Sequence, residues 1–196
     1  EASLIAYLWP LLIVLFSGLL PGETLRAGHV IGAVVGFIGA ALIVTGGGTG
    51  FRPEALAGYG LAMLCAVTWS SYSVLSRKLG TVPTASVAVF CLASAALSLP
   101  LHFVLETTAW PVGAMGWTSA ILLGLGPVGL AFYVWDIGVK RGDIQILGTA
   151  SYAAPLLSTL VLIVAGVAVP TWSLAIAAVL ITAGALLAAR ASLKGG

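Results

Sequence analysis

An all-α, polytopic transmembrane helix bundle is the fold class this sequence predicts, and three observations predict it. Of the 196 residues, 60% are hydrophobic and only 7% are charged, against about 25% charged in soluble domains. The eight Lys+Arg and six Asp+Glu side chains cut the chain into uncharged runs near the ~20 residues that a spanning helix needs. No run shows the period-2 alternation of a membrane strand. The net charge of +2 excludes a nucleic-acid binder, which needs a basic stripe. Cys65 and Cys91 both lie in apolar runs, without the spacing of a disulfide framework or a metal site. No cofactor, metal site or catalytic set is expected, and the partners implied are a small-molecule substrate and the lipid bilayer, with the oligomeric state left open.

The runs place seven helices in order. Ala2–Gly22 is uncharged and predicts a helix at about 3–20. Ala27–Phe51, broken only by His29, predicts 28–46, and Ala55–Ser76 predicts 55–77. Leu79–Leu105 predicts 84–105, and Thr107–Trp135, whose start at Trp110-Pro111 reads as loop, predicts 116–140. Ile144–Ala189 carries no charge over 46 residues, roughly 69 Å as one helix and about twice a bilayer core. The Val169-Pro170-Thr171-Trp172 segment divides it into 144–168 and 172–190, because proline breaks a helix.

With Glu1 outside and alternating spans, the inner side receives Arg26, Arg77, Lys78, Lys140, Arg141, Arg190 and Lys194, and the outer side only Arg52. This is the positive-inside pattern, and it puts the carboxyl terminus in the cytoplasm. Trp110, Trp117 and Trp172 then fall in an outer aromatic belt, and Trp135 in an inner one.

Shifted by 145 residues, the chain matches itself at eleven of 44 ungapped positions. Tyr7, Pro10, Leu11 and Leu12 fall on Tyr152, Pro155, Leu156 and Leu157, and Gly39-Ala40 on Gly184-Ala185. The first helix and its counterpart cross the bilayer in opposite senses, so the repeat is inverted, as in many secondary transporters. The three helices at about 55–142 have no counterpart before Glu1. The expectation is therefore a ten-helix protein built five plus five, of which the last seven helices are present. Residues 1–48 are the last two helices of the first repeat, 49–54 the outer connection, 55–192 the complete second repeat and 193–196 a cytoplasmic tail.

Two strings carry a family resemblance. Trp135-Asp136-Ile137-Gly138-Val139-Lys140-Arg141-Gly142, followed by Ala150-Ser151-Tyr152-Ala153-Ala154-Pro155-Leu156, resembles the hinge between the eighth and ninth helices of the drug/metabolite transporter superfamily, in its EamA-type ten-helix branch. Pro21-Gly22-Glu23-Thr24-Leu25, with Gly32 and Gly39, is similar to the start of the fifth helix there. Tyr7-Leu8-Trp9-Pro10 and Trp69-Ser70-Ser71-Tyr72 look most like the branch's aromatic amino acid exporters. The resemblance implies export of aromatic and other bulky neutral amino acids across a bacterial inner membrane by alternating access.

The residues themselves suggest where a substrate would sit. Trp9 and Trp69 lie too deep for either belt and line a cavity or pack. Pro10 and Pro155 are repeat-related, and each frees the carbonyl four residues earlier, on Ala6 and Ser151, beside Tyr7 and Tyr152. Such a carbonyl needs water, substrate or packing to satisfy it. Trp69, Ser73 and Ser76 share one helix face with Tyr72 beside them, as a cavity wall or as hydroxyls bonding their own i−4 carbonyls. Gly124, Gly126, Pro127 and Gly129, followed by Tyr133, mark a hinge or a close-packed kink. The candidate substrate-binding residues are Tyr7, Trp9, Pro10, Trp69, Tyr72, Ser73, Tyr133, Ser151, Tyr152 and Pro155.

The charges are expected at helix ends: Asp136 and Lys140 as a surface i,i+4 pair, and Glu23 at the start of a helix. An exporter of neutral or zwitterionic metabolites is the reading these features favour. The alternatives are a carrier of nucleotide sugars, sugar phosphates or drugs, and, in another class, a seven-helix receptor.

Overall fold

The computed structural model describes residues 2–46 and 53–193. The predicted outer connection at 49–54 and tail at 193–196 lie largely outside the described residues, as do Glu1, Arg52 and Lys194. Within them the chain is all-helical, and five helical stretches are long and apolar enough to cross a membrane.

The first span is broken. α1 (Ala2–Ala6) and α2 (Trp9–Ser17) are separated at Tyr7-Leu8. Pro10 falls in the first turn of α2, where its missing N–H would have had no intrahelical partner anyway. After α3 (Ala27–Thr45), a 3-10 turn at Pro53–Ala55 leads into α4 (Leu56–Lys78). α4 is long enough to span at 23 residues, but its Ser and Tyr side chains make it the more polar helix. α5 (Ser86–Leu105) follows.

The next span runs from Gly113 to Arg141 without a stop. It comprises α6 (Gly113–Leu123), a π-helical segment at Gly124–Leu130 and α7 (Ala131–Arg141). Pro127 withholds one N–H, and a Cβ on Gly129 would stand 2.9 Å from the Gly124 carbonyl oxygen. The glycine there is a requirement of the widened turn. Such π segments occur often at functional sites.

α8 (Ile144–Ala150) opens with the Asp143 carboxylate accepting the Ile146 N–H at 2.9 Å, a side-chain N-cap. A second break at Ser151-Tyr152 separates it from α9 (Ala153–Val164), and α10 (Trp172–Leu193) is the last element among the described residues. The two breaks sit at nearly repeat-related places. The carbonyl that Pro155 leaves free on Ser151 is taken locally, by the Ala154 N–H at 3.1 Å. It therefore needs no substrate.

α3 and α10 form the most extensive helix pair. Glycines let their backbones meet, as small residues do between membrane helices. A Cβ on Gly32 would lie 2.5 Å from the Gly184 carbonyl oxygen, and one on Gly39 would lie 2.9 Å from the Ala177 carbonyl oxygen. The 145-residue shift carries Gly32 onto Ala177 and Gly39 onto Gly184, so the two contacts exchange partners. The start of α3 and the end of α10 are tied as well: Arg26 Nη1 donates to the Ala191 carbonyl at 2.8 Å, and His29 Nε2 meets Ser192 Oγ at 3.2 Å.

α2 packs between α4, α8 and α3, and α4 also packs against α7. By contrast, Val87 is the one buried residue on α5, and α6 has none. The outward surfaces are aliphatic, with Leu92 and Val164 among their exposed side chains.

Candidate functional site

Three tryptophans from three spans meet where α2, α4 and α7 cross. The Trp9 ring lies edge-on to Trp69 at 6.4 Å and to Trp135 at 5.3 Å, and Trp69 lies 5.9 Å from Trp135. Trp135 Nε1 donates to Ser73 Oγ at 3.0 Å, and Ser73 in turn donates to the Trp69 carbonyl at 2.9 Å. The expectation that Trp135 is an inner-belt residue is therefore corrected. Its depth along the helix suited a belt, but its direction is inward. Trp110, Trp117 and Trp172 do stay exposed.

The aromatic lattice continues outward from Trp69. Tyr72 stacks on it at 5.4 Å, Phe132 lies 5.2 Å away, and Phe90 of α5 meets Tyr72 edge-on at 6.2 Å. These rings wall a cleft of about 470 Å³ between α4, α5 and the π segment. Its remaining lining is Val87, Cys91, Ser94, Ala95, Ser98 and Val128. Among the described residues, no charged side chain lines it. The volume suits a small metabolite, and an apolar wall with a few polar groups is the usual form of such a site.

A second, smaller cavity of about 110 Å³ shares Tyr72, Val87 and Phe90 with the cleft and reaches Asp136 and Lys140. These two charges are not at the surface as expected: the side chain of Asp136 is 3% exposed and that of Lys140 9%. Asp136 accepts from Ser76 at 2.5 Å, Thr84 at 2.7 Å and Lys140 at 2.6 Å. Lys140 also donates to the Val82 carbonyl at 2.8 Å. One carboxylate thus joins α4, the α4–α5 loop and α7.

Beside it, Arg77 Nη1 donates to the carbonyls of Val139, Lys140 and Gly142, capping the end of α7. Its other nitrogens hold Glu23 Oε1 at 3.1 and 2.5 Å. Glu23 accordingly braces the loop before α3 and does not begin a helix.

The structure brings together Trp9, Trp69, Tyr72 and Ser73, of which Trp69 and Tyr72 line the cleft. Pro10, next to Trp9 in α2, is fully buried and lies outside the cleft lining, and Tyr7 and Tyr133 are half-buried and also away from it. Ser151, Tyr152 and Pro155 are also elsewhere. Ser151 Oγ bonds its own i−4 carbonyl, on Leu147, at 2.8 Å. Tyr152 is 0% exposed: its hydroxyl accepts the Leu11 N–H at 3.0 Å, and its ring packs over Gly36 and Phe37. The sequence reading missed Phe90, Cys91, Ser94, Ser98 and Phe132. On α5 the signal was available, since Val87, Cys91, Ser94 and Ser98 recur at helical spacing.

A broken-helix bundle with an uncharged, aromatic-walled cleft and lipid-facing aliphatic surfaces defines a multi-pass membrane protein of the transporter class. Residues 56–190 match the EamA-like transporter family, and the chain belongs to that family. It is 57% identical over 190 residues to the aromatic amino acid exporter YddG of Ancylobacter novellus, covering 96% of this chain and 66% of that protein. The exporter of the same name from Salmonella typhimurium is 28% identical over 172 residues, covering 81% and 56%. A solved crystal structure, 56% identical, superposes with a TM-score of 0.94 over 99% of this chain and 68% of its own. The chain thus spans two thirds or less of the length of these curated relatives.

Proposed function

We propose that this chain belongs to a secondary transporter that exports small neutral or zwitterionic metabolites across the bacterial inner membrane, with aromatic and other bulky neutral amino acids as its first substrates. The observation that carries this reading is the charge-free cleft with Trp69, Tyr72, Phe90 and Phe132 on its wall. A flat ring gains from such faces beyond simple burial. A sugar phosphate or nucleotide sugar would ask for cations that the cleft does not offer. Membership of a transporter family sets the receptor reading aside, and relatives named as aromatic amino acid exporters support the substrate class.

The proposal keeps the orientation with the carboxyl terminus in the cytoplasm and the five-plus-five arrangement. The exchanged α3–α10 glycine contacts support the second. Alternating access then needs the inner ends of α4 and α7 to part, which breaks the hydrogen bonds that Asp136 makes with Ser76 and Thr84. The π segment and the two helix breaks are the places where helices bend with little loss of hydrogen bonding.

The test is transport of labelled Phe, Trp and Ala by the intact protein in proteoliposomes, with and without a pH gradient. Trp69→Ala removes a stacking face worth about 0.5–1.5 kcal/mol beyond burial. Phe and Trp transport should therefore fall about 2- to 12-fold more than Ala transport at matched reconstitution. An equal loss for all three substrates, or no aromatic transport by the wild type, sinks the proposal.

A further inference from the structure

We infer that Ser94 and Ser98 of α5 form the polar subsite of the cleft, holding the ammonium and carboxylate head of an amino acid whose side chain stacks on Trp69 and Tyr72. The inference rests on the transporter reading above and assigns the part of the cleft that reading leaves open. A zwitterion brought into a cleft without charges must find hydrogen bonds there, because an unpaired charge is costly to desolvate.

Three serine hydroxyls of α4 are already committed. Ser70 donates to the Ala66 and Trp9 carbonyls. Ser73 is held between Trp69 and Trp135, and Ser76 by Asp136. Ser94 and Ser98 line the cleft and make no hydrogen bond among the described residues. They stand four residues apart on one face of α5, about 6 Å along the axis, in the cleft that Trp69 and Tyr72 of α4 also line. A hydroxyl both donates and accepts, so this pair can meet an ammonium at one step and a carboxylate at the next. It matches a ligand of zero net charge and has no means of neutralising a net anion.

Cys91 lines the same cleft one turn away and is half-buried, which makes it a reporter of occupancy. The experiment uses the intact protein with Cys65→Ser, leaving Cys91 as the reactive thiol of this region. Maleimide labelling of Cys91 is followed against rising L-phenylalanine, alongside Phe transport, in wild type, Ser94→Ala, Ser98→Ala and the double variant. Ser98→Thr keeps the hydroxyl and controls for folding.

Wild-type labelling should slow as phenylalanine fills the cleft. Each Ala variant should need about 10-fold more phenylalanine for half-protection and show a matching rise in KM, as expected for a lost hydrogen bond to a charged group. Ser98→Thr should stay near wild type. If wild type transports phenylalanine but half-protection is unchanged in the double variant, the subsite is overturned and the transporter reading stands. If wild type neither transports phenylalanine nor is protected by it, both fall.

Discussion

Replacing Asp136 with Asn keeps the shape of the side chain and removes its charge. Lys140 then stays buried, at 9% exposure, with only neutral acceptors such as the Val82 carbonyl beside it. Removing one member of a buried ion pair typically costs about 3–5 kcal/mol, because the other charge is left uncompensated. Lys140→Met should cost a similar amount, since it strands a carboxylate that is 3% exposed and held by two neutral hydroxyls. The double variant Asp136→Asn/Lys140→Met strands no charge. Its Asn oxygen can still accept from Ser76 or Thr84. The double should therefore be destabilised by about 1–2 kcal/mol, one weakened hydrogen-bond network, far less than the sum of the singles. The measurement is equilibrium unfolding of all four proteins in mixed micelles under SDS titration. A coupling below about 1 kcal/mol would refute the reasoning and place the pair in water after all.

The α3–α10 seam gives a second prediction: Gly32→Ala should destabilise by about 1–3 kcal/mol, since its Cβ would meet backbone rather than a movable side chain. Gly58→Ala, with open space around it, should be neutral or stabilising in the same titration, and equal behaviour of the two would refute the close-approach argument. Tyr152→Phe should cost about 1–3 kcal/mol by stranding the Leu11 N–H while leaving the preference for Phe over Ala in transport unchanged. A selective loss of aromatic transport would instead return Tyr152 to the substrate path.

Helix number and boundaries were legible because each charged side chain ends a run that lipid can cover. The depth of Trp9 and Trp69 was legible for the same reason: distance from the nearest charge measures level in the bilayer. Direction was not. Trp135 and Asp136 are neighbours near the end of α7, and their level suited a belt and a surface pair. Both turn inward because Ser73, Ser76 and Thr84, on other elements, offer them partners. Tyr152 misled in the opposite sense. A tyrosine beside a proline-freed carbonyl looked like a cavity, but Gly36 on α3 leaves room for its ring and the start of α2 offers its hydroxyl an N–H. These pairings join residues far apart in the chain, so no local pattern announces them.

The seam between α3 and α10 also orders assembly in time. Arg26 finds its carbonyl partner 165 residues downstream, on the last helix described. Until that helix is inserted, the glycine face of α3 lies open to lipid or to other helices, with close-approach sites that any small-residue helix could occupy. Insertion of α10 is therefore the step that closes this seam. A chain stopped before Trp172 would hold every cleft-lining residue named above and still present α3 as an adhesive surface to quality control.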